Sequence, residues 1–249
     1  MPLPRASREI AESGIYHVIV RGNGKQLLFE DDADRAKFLT LIACKGRSFK
    51  IGILGWCLMS NHVHLLLDDS SQALSDFMHA LSTAYAAHFN KKTGHSGSVF
   101  QGRFVSIPVR DDAQLLQALR YIHMNPQKAG ICPFDSYPWS SYRAYAEETD
   151  SIVDTTMILD LCSRDEIRRF HAQDDAPYYP LTGHRPSDED ALDAARSIMH
   201  PIAPADIKGL PKPQRDKMLK RLRQAKLTVK QIQRITGIGA STITRATSE

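Results

Sequence analysis

No run of about 18 uncharged apolar residues occurs in the 249-residue sequence, so no segment of it reads as a membrane-spanning helix. The opening MPLPRASREIAESG also lacks the apolar stretch of a secretory signal. Cysteine is scarce: Cys44, Cys57, Cys132 and Cys162 lie far apart, with no Cys-x-x-Cys. That argues against a disulfide framework or a zinc finger and for reduced thiols in a cytoplasm. Neither a Walker loop, nor a Rossmann glycine pattern, nor a Ser–His–Asp order is present. What remains is a chain with 42% hydrophobic residues, enough for one large domain or one domain with an appendage.

The net charge of +4 hides a strong segregation. Between positions 208 and 249 eleven Lys and Arg face two acids, a net +9; between 147 and 206 five face fourteen, a net −9. A basic C-terminal stretch behind an acidic middle is an electrostatic footprint for a polyanion, though a solvated lysine-rich helix has the same composition. On this basis the chain divides into residues 1–146, an acidic connecting region 147–206, and a basic region 207–249.

The first region is organised around GWCLMSNHVHLLLD at positions 55–68. Its apolar run reads as a buried strand, and alternation along a strand sends His62 and His64 to one face and Val63 into the core. Two imidazoles side by side make half of a metal site. Read alone, such a pair is more often two hydrogen-bonded strand residues.

Before this strand, IYHVIVR at 15–21 reads as another, with Tyr16, Val18 and Val20 on one face and His17, Ile19 and Arg21 on the other. That alternation points Arg21 to the functional surface. GNGK then signals a turn, and apolar spacing at Phe38, Leu41 and Ile42 predicts a helix from about Ala33 to Lys45. The stretch from Lys50 to Asp68 reads as a hairpin with its turn near Met59–Asn61. A second amphipathic helix follows over 73–90. The loop KKTGHSGSVFQGRF carries Lys91, Lys92 and Arg103, suited to phosphate contacts, and runs into a strand FVSIPV. Asp111 or Asp112 caps a third helix, stopped at Asn125–Pro126, with Tyr121 and Asn125 one turn apart on one face. The aromatic segment ICPFDSYPWSSYRAY reads as an irregular cap. His17, His79, His88, His95 and His123 are scattered and read as structural or solvated. The order of strands and helices gives an α+β class with a mainly antiparallel sheet.

The acidic region offers short helices at Thr155–Cys162 and Ser187–Met199, separated by the Pro/Gly-interrupted link DAPYYPLTGHRPSD. Beyond it QRDKMLKRLRQAK is helical, Thr228 caps a helix through Ile235, Gly237 breaks it, and Ser241 starts another. That pattern resembles a helix-turn-helix, with Ser241, Thr242 and Arg245 facing DNA and Lys230 and Arg234 nearer phosphate. A small helical packing unit would show a similar pattern.

YHVIVRGN at 16–23, CLMSNHVHLLL at 57–67, GSVFQGRF at 97–104, YIHMNPQKAGI at 121–131 and YPWSSY at 137–142 together resemble the single-tyrosine HUH transposases of the insertion-sequence type. Within these they are closest to the REP-associated tyrosine transposases, over roughly residues 10–145. The resemblance implies a ferredoxin-like HUH domain with an antiparallel sheet and packed helices, followed here by the all-α helix-turn-helix region. It implies that His62 and His64 bind a divalent metal, Mg²⁺ or Mn²⁺, and that Tyr121 is the nucleophile. Asn125 stands where many relatives place a glutamine as third ligand, and its side chain is one methylene shorter.

The activity implied is metal-assisted cleavage and rejoining of single-stranded, hairpin-bearing DNA through a 5′-phosphotyrosine. The partner would be DNA of the repetitive extragenic palindrome kind, in the bacterial cytoplasm in association with the nucleoid. Insertion-sequence relatives pair as homodimers while the domesticated branch works as monomers, and the sequence leaves both open. Two further readings stand beside the first: an inactive hairpin-binding regulator descended from a transposase, and a nicking enzyme of the replication or relaxase type.

Overall fold

The computed structural model describes residues 10–149, 151–173, 179, 188–199 and 201–247. The expected link over 175–188 lies outside the described residues except for Tyr179 and Asp188. The chain divides into two compact units, at Ala172/Gln173.

The first unit is built on four strands: β1 (Ile15–Arg21), β2 (Gly52–Leu58), β3 (His62–Asp68) and β4 (Val105–Pro108). They form one sheet in the order β2-β3-β1-β4, every pair antiparallel. Helix α1 (Asp32–Phe49) follows β1, α2 (Leu74–Thr93) follows β3 and α3 (Asp112–His123) follows β4, the ferredoxin-like order. Helix α1 starts where the Asp31 carboxylate accepts from the Asp34 N–H at 3.0 Å, and α3 where Asp111 accepts from Gln114 N–H at 2.8 Å. Helix α1 is longer than its apolar spacing implies, ending only when Lys50 turns left-handed; α2 runs on to Thr93 and ends at Gly94, whose φ of 67° suits a residue without a Cβ.

The sheet has two unlike faces. Tyr16, Val18, Val20, Val63, Leu65 and Leu67 face α1 and α2, where they pack with Phe38, Ile42, Phe77 and Leu81 in one apolar cluster. The other face carries His17, Ile19, Arg21, His62, His64 and Leu66, with α3 packed over β2 and β3. Gly55 permits that approach: a Cβ there would lie 2.9 Å from Leu119 Cδ1 and 3.4 Å from Leu66 Cβ. Gly55→Ala is therefore expected to push Leu119 and α3 outward and to cost about 1–3 kcal/mol by overpacking. Denaturant unfolding measures this; an unchanged midpoint would mean that Leu119 simply rotates away.

The chain does not stop at Asn125–Pro126. A further turn, α4 (Asn125–Lys128), accommodates Pro126 in its first turn, where a proline N–H is not needed. The aromatic cap is partly helical, α5 (Tyr142–Ala146), and is bonded to β2: Tyr145 Oη donates to Leu54 O at 2.5 Å and Tyr137 Oη to Leu58 O at 2.8 Å. Then come α6 (Thr156–Leu159) and α7 (Arg164–Ala172). Helix α7 escaped the sequence reading because its charged residues outnumber its apolar ones, yet Ile167 and His171 are buried and Arg164 donates to Ala144 O and Tyr145 O at 2.8 Å each. Those bonds tie the acidic stretch as far as 172 to the first unit. The boundary drawn at 146 thus differs from the structural division.

The second unit comprises α8 (Asp188–Met199), a 3-10 turn (Pro204–Gly209), α9 (Lys212–Gln224), α10 (Val229–Thr236) and α11 (Ala240–Thr247). Ala191, Ala195, Met199, Ile207, Leu219, Leu222, Ile232 and Ile243 make its core. The unit therefore begins before 207, because α8 supplies apolar surface that α9 and α10 need. Thr228 and Gln231 form a reciprocal capping box at the start of α10, and Gly237 ends it with φ 66°.

Candidate active site

The site rests on the pairing of β1 with β3. Its register sets Arg21 opposite His62, Ile19 opposite His64 and His17 opposite Leu66, so three histidines and Arg21 share one face. The rings of His62 and His64 stand edge to face with centroids 5.0 Å apart.

Each imidazole has a defined neighbour. His62 Nδ1 lies 2.7 Å from Asn61 Oδ1. An amide oxygen only accepts, so Nδ1 carries the hydrogen, and in the neutral form of the ring the lone pair is on Nε2. His64 is 1% exposed, and its Nδ1 lies 2.8 Å from His17 Nε2. Burial, reinforced by His62, His17, Arg21 and Lys128, holds the His64 pKa well below the usual histidine range, so the ring is neutral near pH 7.

Tyr121 comes from α3, which sets its ring against this face. It is 7% exposed, with its ring centroid 5.8 Å from that of His64 and 5.7 Å from that of His17. Lys128 Nζ sits 4.2 Å from the same ring's centroid. Asn125 turns its amide back onto the helix, with Nδ2 donating to Tyr121 O at 2.8 Å and to Ile122 O at 3.2 Å. The amide oxygen is not used in either bond.

These donors fit a divalent ion. Imidazoles in their neutral form and an amide oxygen are acceptable ligands, and a phosphate substrate would bring further oxygens. Among the described residues no group of three or more His, Cys, Asp and Glu is gathered for a metal, so the protein's own set is small. Arg21 and Lys128 are the fixed cations among the groups that bear on His64, an arrangement that favours an anion there.

The remaining expected residues are dispersed. Lys91 and Arg103 are exposed, and Arg103 follows a loop clipped to β1 by Gln101 N–H donating to Arg21 O at 2.8 Å. Lys92 instead pairs with Asp31 at 2.7 Å and Asp34 at 2.9 Å, and hydrogen bonds to both raise its pKa. That compensates the charge which the sequence reading gave to phosphate. Lys230 and Arg234 are exposed on α10; Ser241 and Arg245 are exposed on α11 and Thr242 is half-buried.

Two residues were missed. His17 was read as structural but touches both His64 and Tyr121. The signal was available, since alternation already put it on the face of Arg21. Lys128 gave none, because its approach to Tyr121 depends on the turn through Pro126. His123, read as structural or solvated, is buried, with hydrogen bonds to His171 and Ser141.

Residues 11–125 match the model of the family described as Transposase IS200 like. No curated protein is matched by the sequence. Among solved structures, the chain is similar to one described as a REP-associated tyrosine transposase bound to a REP hairpin: 19% identity over 61% of this chain and 93% of that chain, with a TM-score of 0.46. Another, from Deinococcus radiodurans and described as a transposase, shows 21% identity over 48% of this chain and 95% of that chain, with a TM-score of 0.34.

Proposed function

From the match of residues 11–125 to the IS200-like transposase model and the geometry above, we propose that this chain cleaves and rejoins single-stranded, hairpin-bearing DNA through a 5′-phosphotyrosine on Tyr121. The observation that carries the reading is the Tyr121 ring packed against His64, beside a His62 whose Nδ1 is held by Asn61.

In the first step Tyr121 Oη forms a bond to the scissile phosphorus and the bond from phosphorus to the 3′ oxygen breaks. The phenol proton leaves to solvent and the departing 3′ oxygen takes one up. The phosphodiester energy stays in the tyrosyl link, so attack by a second 3′-hydroxyl restores a strand without a nucleoside triphosphate. Arg21 and Lys128 orient the phosphate by charge, and α3 holds the Tyr121 ring through its packing on His64 and His17. Nε2 of His62 and of His64, with the Asn125 amide oxygen, would hold a divalent ion, Mg²⁺ or Mn²⁺, which would supply Lewis-acid stabilisation of the charge that builds on the phosphate.

The helix pair α10–α11 serves as a helix-turn-helix that docks on duplex DNA, the stem of a hairpin included. Exposed Ser241 and Arg245, with Thr242, would meet base edges, and Lys230 and Arg234 the phosphates. If Lys230 contacts one phosphate, Lys230→Gln should weaken binding equally on all sequences and lower the slope of log K against log salt by about 1. A slope identical to the wild type removes Lys230 from the interface.

The test is incubation of the chain with hairpin-bearing single strands and Mg²⁺ or Mn²⁺, read on a denaturing protein gel. A metal-dependent covalent adduct that passes its DNA to a second 3′ end supports the proposal. An adduct never passed on favours the nicking enzyme, and tight binding without an adduct favours the regulator.

A further inference from the structure

We infer that His17 is a positioning residue that leaves the outer nitrogen of His64 free to bind a divalent ion. The inference rests on the reading of His62 and His64 as metal ligands and adds a residue which that reading lacks.

His17 is fully buried on the central strand β1, with its Nε2 2.8 Å from His64 Nδ1. A hydrogen bond between two ring nitrogens contains one hydrogen, so two arrangements exist. If His17 Nε2 donates, a neutral His64 must carry its own hydrogen on Nε2, and its lone pair faces His17 instead of the site. If His64 Nδ1 donates, Nε2 keeps its lone pair and can ligate. Only the second arrangement is competent, and it requires His17 to be a neutral acceptor at Nε2 with its hydrogen on Nδ1.

The two ligands are then oriented by unlike means. His62, half-exposed, is set by the Asn61 amide at 2.7 Å in the turn just before its strand. His64, buried, is set from a neighbouring strand, where pairing of Ile19 with His64 fixes how His17 can reach it. A partner on a ligand's second nitrogen fixes the tautomer and the ring plane, and its loss typically lowers metal affinity about 10–100-fold. His17 also touches the Tyr121 ring, with centroids 5.7 Å apart, so one side chain aligns the ligand and supports the nucleophile.

The experiment is titration of the full chain, without DNA, with Mn²⁺ followed by electron paramagnetic resonance. His17→Phe keeps a ring but offers no acceptor, and its Mn²⁺ dissociation constant should rise about 10–100-fold. His17→Gln brings an amide oxygen and should recover most of that loss, a rescue that a purely packing role does not predict. His64→Ala is the control for the underlying reading. Unchanged affinity in His17→Phe with lost affinity in His64→Ala overturns the inference alone; unchanged affinity in both removes the metal-site reading and the inference with it.

Because His17 is buried, a measurement on the unaltered protein stands beside the variants. Two-bond ¹⁵N–¹H spectra of histidine-labelled protein loaded with Mg²⁺ should show both His17 and His64 protonated on Nδ1. A hydrogen on His64 Nε2 in that state overturns the inference whatever the variants do.

Discussion

Tyr121→Phe is expected to abolish the covalent protein–DNA adduct while leaving hairpin binding within a few-fold of the wild type. The substitution removes one oxygen and keeps the ring that packs on His64, His17 and Lys128. At 7% exposure the side chain contributes mainly by packing, and a lost hydroxyl bond costs about 1 kcal/mol, too little to unfold a domain. On the proposed mechanism the chemistry has no such margin, since without Oη nothing forms the bond to phosphorus. Loss of a nucleophile in other covalent enzymes lowers turnover by a factor on the order of 10⁴–10⁶, so no adduct should be visible on a gel. Thermal unfolding and a binding isotherm on the same preparation separate chemistry from folding. An adduct persisting in Tyr121→Phe moves the nucleophile elsewhere and leaves the Tyr121 ring a packing role.

Much of this arrangement is legible from local rules. Strict alternation in IYHVIVR and HVHLLLD fixed which residues face the helices and which face the site, and the observed register agrees for Tyr16, Val18, Val20 and Val63. An aspartate cap announced α3, and Asp31 plays the same part at the start of α1. What local rules do not carry is register between strands. Whether His17 meets His64 depends on how β1 pairs with β3, and the alternation of each strand is satisfied by several registers two residues apart. Helix ends shifted for a related reason, since α1 and α2 stop where Lys50 and Gly94 turn left-handed and not where the apolar spacing fades. Helix α7 was hidden because buried Ile167 and His171 stand among arginines and acids whose aliphatic parts and backbone bonds do the covering.

That hidden helix carries the second large expectation, a loss of stability in mild acid. His171 Nδ1 donates to Ile167 O at 2.8 Å, so its Nε2 accepts from His123 Nδ1–H at 3.0 Å, and His123 Nε2 accepts from the Ser141 hydroxyl at 2.8 Å. The Ser141 oxygen in turn accepts from Trp56 N–H at 2.9 Å. Helix α7, the helix of Tyr121 and strand β2 are joined by one chain of bonds in which both imidazoles are neutral.

A first proton can be accommodated by reversing the chain, with Ser141 donating to Trp56 O at 3.3 Å, but the charge stays buried and near Arg120. Burial, opposed by the Ile167 carbonyl and reinforced by Arg120, pushes the His171 pKa down to about 4. A folded state with a lowered histidine pKa binds fewer protons than the unfolded chain, so this group takes nothing from stability above about pH 6.5. As pH falls from 6.5 toward 4 the unfolded chain is progressively favoured, by a total on the order of 3 kcal/mol. His123, also held well below the usual range by burial and by His171, acts in the same direction. Denaturant unfolding at pH 7, 6, 5 and 4 should therefore show His171→Gln gaining on the wild type by about that amount at the acid end. Carboxylates titrate equally in both proteins and cancel in the difference. A difference that stays flat across the range would mean that His171 takes up its proton in place, and that water reaches the joint between α7 and α3.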